Sequence, residues 1–443
     1  MRPVRQPRAN EAQRQKPRFF LAALDNVRFR WLLLVITGGA VIPAFAVMMI
    51  IVPLLHQALP GDLAVYVKAA RLIHEGADPY ASWLSSSSLD PTRRSGYIYP
   101  PFLAWLLAPL STLPAAVLLT GLLMLDVIAL SGFWWLTARS LRWRGAQSLV
   151  LIAVSTLAFF PVQENFKWGQ VNLLILALCS LWFVAWVKGM EAMGGVALGL
   201  SIAVKLLQAP ILLLVVLTRR FRMAIVTVAI VLVTLLVASP QLLPEYLLRV
   251  LPVLNVSTGY MANLAPIAFF ARLVQPASVF ANVEAVPLVA RIAAMLAGVA
   301  AVLISARAML LSRGAAASPS VRSLQAACAL SLCPLVSTID WPAHLALLLI
   351  PMVVVFDWSI QRGRRGYAIA VLVSWLALGP AQQVLWTAAD NPAPLGGLVY
   401  PVYWALSEFA SAALFVIWGA ATLALQVEVA DGQPAFQRLE AAP

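Results

Sequence analysis

The chain has 443 residues, of which 62% are hydrophobic and only 11% are charged, and its formal net charge is +13. Soluble domains are about one-quarter charged, so this composition excludes a soluble globular protein and predicts a polytopic membrane protein. The positive charge does not require a nucleic-acid partner, because basic residues gather on the cytoplasmic side of membrane proteins. The three cysteines, Cys179, Cys328 and Cys333, lie in apolar runs, and their spacing predicts neither a disulfide framework nor a metal site.

Residues 1–30 form a basic segment that we interpret as a disordered cytoplasmic tail, and the apolar run after it is too long for a cleaved signal peptide. A helix needs about 20 apolar residues to cross the hydrocarbon. On that criterion residues 31–427 form one transmembrane domain and 428–443 a second cytoplasmic tail. The predicted spans are 31–55, 114–137, 148–161, 170–187, 222–239, 286–311, 321–336, 342–358, 367–386 and 400–426.

Two apolar segments do not fit this count. Segment 101–113 is short and bounded by prolines, which predicts a re-entrant or interfacial helix. Segment 194–217 is long enough to span once, but Lys205, Gln208 and Pro210 interrupt its middle.

The positions of the basic loops decide how segment 194–217 is folded. Loops 138–147, 218–222, 312–322 and 361–365 are short and basic, so all should be cytoplasmic. These four loops lie on the same side of the membrane only if 194–217 is a re-entrant pair of short helices with its turn near 205–210. Each half would have about 11 residues and be roughly 16 Å long, too short to span. The result is about 12 crossings with both termini cytoplasmic, and long external loops at 56–113 and 240–285.

This charge topology gathers the unusual polar residues on the external side and predicts one outward-facing site. Those residues are Asp62, Asp78, Glu164, Asn165, Lys167, Gln170, Asn172, Lys205, Asn263, Arg272, Asp340 and His344. Non-helical backbone at membrane depth is tolerated only against protein or a water-filled cavity. We therefore expect Lys205 at the floor of an external cavity.

Three of these residues have competing interpretations. Asp62 begins an amphipathic helix over 62–75 that should lie on the outer leaflet, so it is either a helix N-cap or a general base. Lys205 either snorkels to the interface or contacts a phosphate. His344 is either a buried, hydrogen-bonded histidine or a proton-handling group.

Six segments, in this order, resemble glycosyltransferase family 87, a GT-C group of polytopic enzymes that includes polyprenyl-phosphate-mannose-dependent mannosyltransferases and an arabinofuranosyltransferase. They are GDLAVYVKAARLIHEGADPY, YIYPPFLAWLLAPLSTLP, WGQVNLLI, GLSIAVKLLQAPILLL, YMANLAPIAFFARL and PLVSTIDWPAHLALLL. The resemblance runs from about Asp62 to Leu349. It implies an all-α, GT-C-like fold in the bacterial cytoplasmic membrane, with its active site facing the exterior.

The resemblance also implies inverting transfer of a sugar, mannose or else arabinofuranose, from a polyprenyl-phosphate donor to a lipid-linked or glycan acceptor. Asp62 would be the base and His344 would assist proton handling or bind phosphate. Cations would stabilise the leaving phosphate, and polar and aromatic side chains would hold the sugar and the acceptor. The expected phosphate contacts are Lys205, Arg272 and Lys68, and the expected sugar or acceptor contacts are Gln170, Asn172, Asn263, Tyr66 and Tyr99.

No cofactor is expected beyond the donor substrate. The sequence has no soluble nucleotide-binding signature and no acidic pair with metal-like spacing, although a divalent metal remains compatible with it. Energy must then come from an activated substrate or an ion gradient. The alternative function is therefore a transporter or flippase of a polyprenyl-linked or amphiphilic substrate, since transporters also use broken helices near mid-membrane.

Overall fold

Long apolar segments can satisfy their backbone polar groups in lipid only as helices or closed barrels, and this chain uses helices. The computed structural model describes residues 27–85, 96–140, 146–238, 240–253, 257–280, 286–316, 318–390, 396 and 398–432, and these residues contain no strand. The expectation of an all-α polytopic protein is confirmed. Most of both proposed tails, and the basic residues Arg142 and Arg144, lie outside the described residues.

The α-helices are α1 (Val27–Ala46), α2 (Val52–His56), α3 (Gly61–His74), α4 (Ala81–Leu84), α5 (Pro101–Leu107), α6 (Ala115–Ser140), α7 (Ala146–Leu157), α8 (Phe160–Trp168), α9 (Asn172–Lys188), α10 (Glu191–Val204), α11 (Pro210–Leu217), α12 (Phe221–Ala238), α13 (Leu242–Glu245), α14 (Leu251–Val253), α15 (Pro266–Val274), α16 (Leu288–Leu311), α17 (Pro319–Leu332), α18 (Leu349–Gln361), α19 (Arg365–Leu378), α20 (Pro380–Asp390) and α21 (Val399–Gly432). Short 3-10 turns include Leu206–Gln208, Cys333–Val336 and Pro342–Leu348, and π-helical turns occupy Val47–Ile51 and Tyr246–Val250.

Seven helical segments in the described part of the chain are long and apolar enough to cross a membrane. They are Gly38–His56, Ala115–Arg139, Phe221–Ala238, Leu288–Leu311, Pro342–Gln361, Arg365–Ala389 and Val399–Asp431. Three predicted spans correspond to shorter helices, since α7, α9 and α17 have 12, 17 and 14 residues. The count of about 12 crossings, and the description of 31–427 as one domain, stay predictions.

The predicted break in segment 194–217 is present. Helix α10 ends at Val204, and Lys205 is extended with φ −156° and ψ 129°. The 3-10 turn Leu206–Gln208 and then α11 follow. The two helices have 14 and 8 residues rather than about 11 each.

Packing of α10 against α12 shows that the chain turns back between them. A Cβ on Gly194 would lie 2.5 Å from Met223, and one on Gly199 would lie 2.7 Å from Ile230 Cβ. Residue numbers therefore increase in the same direction along both contacting helices, so α10 and α12 are parallel. Two parallel neighbours joined by a short connection require a returning segment, and α11 is that segment. This geometry agrees with the re-entrant pair derived from the loop charges.

Basic residues from separate loops meet at the end of the bundle opposite Lys205. Arg220 Nη1 donates to Trp186 O at 2.8 Å, and Arg322 Nη1 donates to Val187 O at 2.7 Å. Arg313 Nε donates to Leu217 O at 2.5 Å. These guanidinium groups bind carbonyls in the C-terminal turns of α9 and α11, the part of a helix where carbonyl oxygens have fewest intrahelical partners. This shared location supports the placement of 218–222 and 312–322 on one side.

At the other end of the bundle, α3 and α5 pack against each other. As the periodicity predicted, Leu63, Tyr66, Val67 and Ala70 are buried on one face of α3. Lys68, Arg71 and Glu75 are exposed on the opposite face. The segment predicted as a short proline-bounded helix is helix α5, followed by a 3-10 turn at Ala108–Leu110.

Candidate functional site

Asp62 lies in the first turn of α3, but it does not cap that helix. The N-cap residue is Pro60, and no side chain forms a capping hydrogen bond there. The half-buried Asp62 carboxylate instead accepts a hydrogen bond at Oδ2 from Gln170 Nε2 at 2.5 Å. The N-cap interpretation is therefore wrong, and the carboxylate is directed towards polar residues of another part of the chain.

A tight turn after α8 brings Gln170 to Asp62. Gly169 ends α8 with φ +67°, a left-handed conformation that residues with a side chain rarely adopt. A Cβ at this position would lie 2.9 Å from Leu63 Cβ. Glycine thus serves two purposes: it turns the chain, and it lets the turn approach α3 closely enough for a direct Gln170–Asp62 hydrogen bond.

Side-chain amides connect the carboxylate to the lysine of the broken helix. Asn172 Nδ2 donates to Gln170 Oε1 at 2.5 Å, and Asn172 Oδ1 accepts from Lys205 Nζ at 3.0 Å. Both amides are buried, with 6% and 4% of their surface exposed. We call the series Asp62, Gln170, Asn172 and Lys205 the amide relay. It joins residues separated by up to 143 positions in the sequence into one hydrogen-bonded array.

Aromatic rings cover the cationic end of the relay. Lys205 Nζ lies 5.2 Å from the centroid of the Tyr99 ring, within the range of a cation–π contact. Tyr99 in turn packs edge-on against Tyr66 at 5.3 Å between centroids. The structure therefore brings Tyr66 and Tyr99 to the same place as Asp62 and Lys205.

Asn165 extends this array to the segment that carries His344. Its Nδ2 donates to Pro161 O at 2.7 Å and to Ala343 O at 2.9 Å, while its Oδ1 accepts from Asn172 Nδ2 at 3.0 Å. His344 is buried in the turn Pro342–Leu348 beside Ala343. His344 Nδ1 lies 3.8 Å from Asp340 Oδ1, too far for a hydrogen bond.

Asn263 has a different environment from the one expected for a sugar contact. It is fully buried, and its Oδ1 accepts from the backbone N–H groups of Asp340 at 2.9 Å and Ala265 at 3.2 Å. Its Nδ2 donates to Thr258 O at 3.0 Å and is close to two further acceptors. Because the side chain is fully used in tying the segment around residue 263 to Asp340, Asn263 is a structural residue here.

The structure also corrects the expectations for Arg272 and Lys68. Arg272 is fully buried, and its guanidinium binds Glu408 Oε1 at 2.6 Å, Ser411 Oγ at 2.7 Å and Asn263 O at 2.9 Å. These partners leave it no free donor group for a phosphate. Lys68 is exposed on the side of α3 that faces away from the relay, at a small surface pocket.

Burial and neighbouring charges act on both carboxyl groups of the site. Burial raises the pKa of Asp62 above its ordinary value, while the hydrogen bond from Gln170 and the charge of Lys205 lower it. Burial raises the pKa of Asp340 to about 8, again opposed by Lys205. A carboxylate with a raised pKa is a stronger base than an exposed one, which suits a group that accepts a proton.

No group of three or more His, Cys, Asp or Glu side chains is arranged for metal binding in the described part of the chain. The expectation of a reaction without metal stays a prediction. Asn165, which joins the array, and Asp340, which lies near His344, were recognised from the sequence only as external polar residues and received no role. A signal was present for Asp340, since a carboxylate lies next to the span that carries His344.

An all-α membrane protein with a carboxylate, an amide relay and a buried lysine at one end of its bundle has the features of a membrane-embedded transferase. The chain belongs to glycosyltransferase family 87, because the model of that family matches residues 97–338, more than half of the sequence. It is therefore a glycosyltransferase. The matched region contains Gln170, Asn172 and Lys205 but neither Asp62 nor His344. No curated protein matches the chain.

Proposed function

We propose that this glycosyltransferase moves a sugar, mannose or else arabinofuranose, from a polyprenyl-phosphate donor to a lipid-linked or glycan acceptor at the external face of the bacterial cytoplasmic membrane. The single observation that carries the proposal is the amide relay, which holds a carboxylate at one end and a lysine at the other. Transfer from a glycosyl phosphate needs both groups, one for the acceptor proton and one for the leaving phosphate.

In the proposed step the acceptor hydroxyl oxygen attacks the anomeric carbon of the donor sugar. Asp62 takes the hydroxyl proton as the new carbon–oxygen bond forms. The bond between the anomeric carbon and the phosphate oxygen breaks, and the phosphate keeps the electron pair. Lys205 stabilises the negative charge that develops on that oxygen. Attack opposite the leaving group inverts the anomeric configuration.

The environment of each group supports its assigned role. The buried amides hold Asp62 and Lys205 in fixed positions before substrate arrives, so little reorganisation accompanies the reaction. The leaving group is a phosphate, already a weak base, so the step needs no strong general acid. In the proposed topology, the break between α10 and α11 would put Lys205 within reach of the phosphate of a donor whose polyprenyl tail lies in lipid.

Transport of a polyprenyl-linked substrate is the alternative that the broken helix α10–α11 would also allow. Membership of a glycosyltransferase family favours transfer over transport. His344 stays the second proposed catalytic residue, through the contact of its segment with Asn165.

The test is transfer of labelled sugar from polyprenyl-phosphate mannose or polyprenyl-phosphate arabinofuranose to membrane lipid acceptors by purified protein in bilayers. We expect Asp62→Asn to reduce turnover by about 10²- to 10⁴-fold, the usual contribution of a general base, with donor binding retained. We expect Lys205→Ala to reduce both donor affinity and turnover.

Glu75→Gln is the matched control, because Glu75 is an exposed carboxylate at the end of the same helix α3. It should transfer sugar at the normal rate. Full activity in Asp62→Asn would exclude that residue as the base. Donor movement across the bilayer by the purified protein, without transfer, would favour the transport alternative.

A further inference from the structure

Asp340 is a buried carboxyl group that the proposed chemical step does not use. Its side chain is fully buried, and neither carboxyl oxygen has a hydrogen-bond partner among the described residues. The Ser337 hydroxyl is close enough to lower the pKa of Asp340, but its well-formed hydrogen bond is the one it donates to Ile339 O at 2.9 Å. A buried polar group without a partner is unfavourable. A bound ligand that forms hydrogen bonds with the carboxyl oxygens would remove this cost.

The surrounding structure fixes Asp340 firmly in place. Asp340 N donates to Asn263 Oδ1 at 2.9 Å, and Asp340 O accepts from Leu264 N at 2.9 Å. Arg272 holds the Asn263 carbonyl at 2.9 Å and is itself paired with Glu408 at 2.6 Å. The external loop and α21 therefore position the backbone of Asp340. Only its carboxyl group is left without a hydrogen-bond partner in the described part of the chain.

The location of this carboxyl group indicates which ligand it meets. Its charge interacts with that of Lys205, and His344 Nδ1 lies 3.8 Å from Oδ1. Lys205 is the proposed contact of the donor phosphate, so the group covalently next to that phosphate, the donor sugar, is the nearest source of hydroxyl donors. A sugar hydroxyl can pair with this carboxyl group in either protonation state, whereas a second phosphate could pair only with the protonated form and would be repelled by the carboxylate.

We propose that Asp340 binds hydroxyl groups of the donor sugar and so contributes to the choice of sugar, an inference that rests on the proposed donor class. Two adjacent hydroxyl groups of a sugar ring can each donate to one of the two carboxyl oxygens. Binding satisfies the buried carboxyl group and orients the ring over the relay at the same time. Asn263 and Arg272 are then positioning residues that act through Asp340.

The experiment compares two ligands that differ only in the sugar. Binding of polyprenyl-phosphate mannose and of sugar-free polyprenyl phosphate, with the same polyprenyl chain, is measured for the wild type, Asp340→Ala and Asp340→Asn in lipid nanodiscs. We expect Asp340→Ala to bind the mannose-bearing ligand about tenfold or more weakly, since its hydrogen bonds with two sugar hydroxyl groups are lost. Affinity for the sugar-free phosphate should be unchanged, which also shows that the variant is folded.

Equal losses for both ligands, or no loss for either, would overturn the role of Asp340 in sugar binding while leaving the proposed donor class intact. If the wild type bound neither the two phosphates nor polyprenyl-phosphate arabinofuranose, the proposed donor class itself would fail. Glu75→Gln, with its exposed carboxylate, should bind both ligands as the wild type does.

Discussion

Replacing Gln170 with methionine removes the central amide of the relay while keeping a side chain of similar length. Two hydrogen bonds are lost, the one donated to Asp62 Oδ2 at 2.5 Å and the one accepted from Asn172 at 2.5 Å. The first of these stabilises the charged form of the carboxylate and lowers the pKa of Asp62. Without it, the pKa of Asp62 must rise further.

The size of this effect follows from the hydrogen bond itself. A hydrogen bond to a charged group contributes about 1.5–3 kcal/mol. Most of this energy belongs to the charged form, since a neutral carboxyl group is the weaker acceptor, so the pKa of Asp62 should rise. A general base works only when deprotonated, so activity should fall at a higher pH on acidification in Gln170→Met than in the wild type.

The assay is the pH dependence of kcat/KM for sugar transfer between about pH 4 and 9, a range that begins near the ordinary pKa of an aspartate and extends through the values that buried carboxyl groups reach. Gln163→Met is the matched control, since Gln163 also donates a hydrogen bond, to Leu157 O at 3.0 Å, but does not contact Asp62. An acidic limb at the same pH in Gln170→Met and the wild type would refute the assignment of Asp62 as the base held by Gln170.

Three further variants test the fold and the buried charges by thermal unfolding in detergent. Arg272→Met should destabilise the protein by about 3–5 kcal/mol, because Glu408 is left as an unpaired buried charge. Arg249→Met, which breaks an exposed pair, should cost less than about 1 kcal/mol, and equal losses would contradict the buried role. Gly195→Ala should cost about 1–3 kcal/mol, because its Cβ would lie 2.8 Å from a carbonyl oxygen of α12; an unchanged melting temperature would contradict the close packing of α10 and α12. Asp340→Asn should gain stability relative to the wild type as pH rises from about 5 to 8. The folded state of the wild type keeps a proton there that the unfolded state has released, because burial raises the pKa of Asp340 to about 8, so its stability falls by up to roughly 1.4 kcal/mol per pH unit. Parallel pH profiles for the two proteins would show that Asp340 is not the group responsible.

The topology of the broken helix could be predicted because charge and hydrophobicity are properties of local sequence. The requirement that all four short basic loops share one side, together with Lys205 in the middle of an apolar run, was sufficient to infer a segment that turns back. The lengths of the two halves could not be inferred, since the break occurs where packing permits extended backbone at Lys205.

The roles of individual site residues were harder to predict from the sequence than the topology was. Arg272 and Lys205 are both basic residues in apolar surroundings, and the sequence offered no reason to separate them. In the structure, Glu408, which lies 136 positions later, pairs with Arg272, whereas Lys205 meets a neutral amide and an aromatic ring. The pairing with Glu408 neutralises the charge of Arg272, whereas the hydrogen-bonded partner of Lys205 is uncharged. Which partner each residue has depends on which distant segments of the chain pack beside it.

The sequence by itself determined that this is a helical membrane protein with its polar residues gathered at one end, because lipid penalises charge and unsatisfied backbone wherever they occur in the chain. It also carried the family resemblance. Only the tertiary structure decided that Asp62 is hydrogen-bonded to Gln170 rather than capping a helix, that the amides lead to Lys205, and that Asp340 is buried without a partner. Those properties are distances between atoms far apart in sequence, and packing of the helices is what sets them.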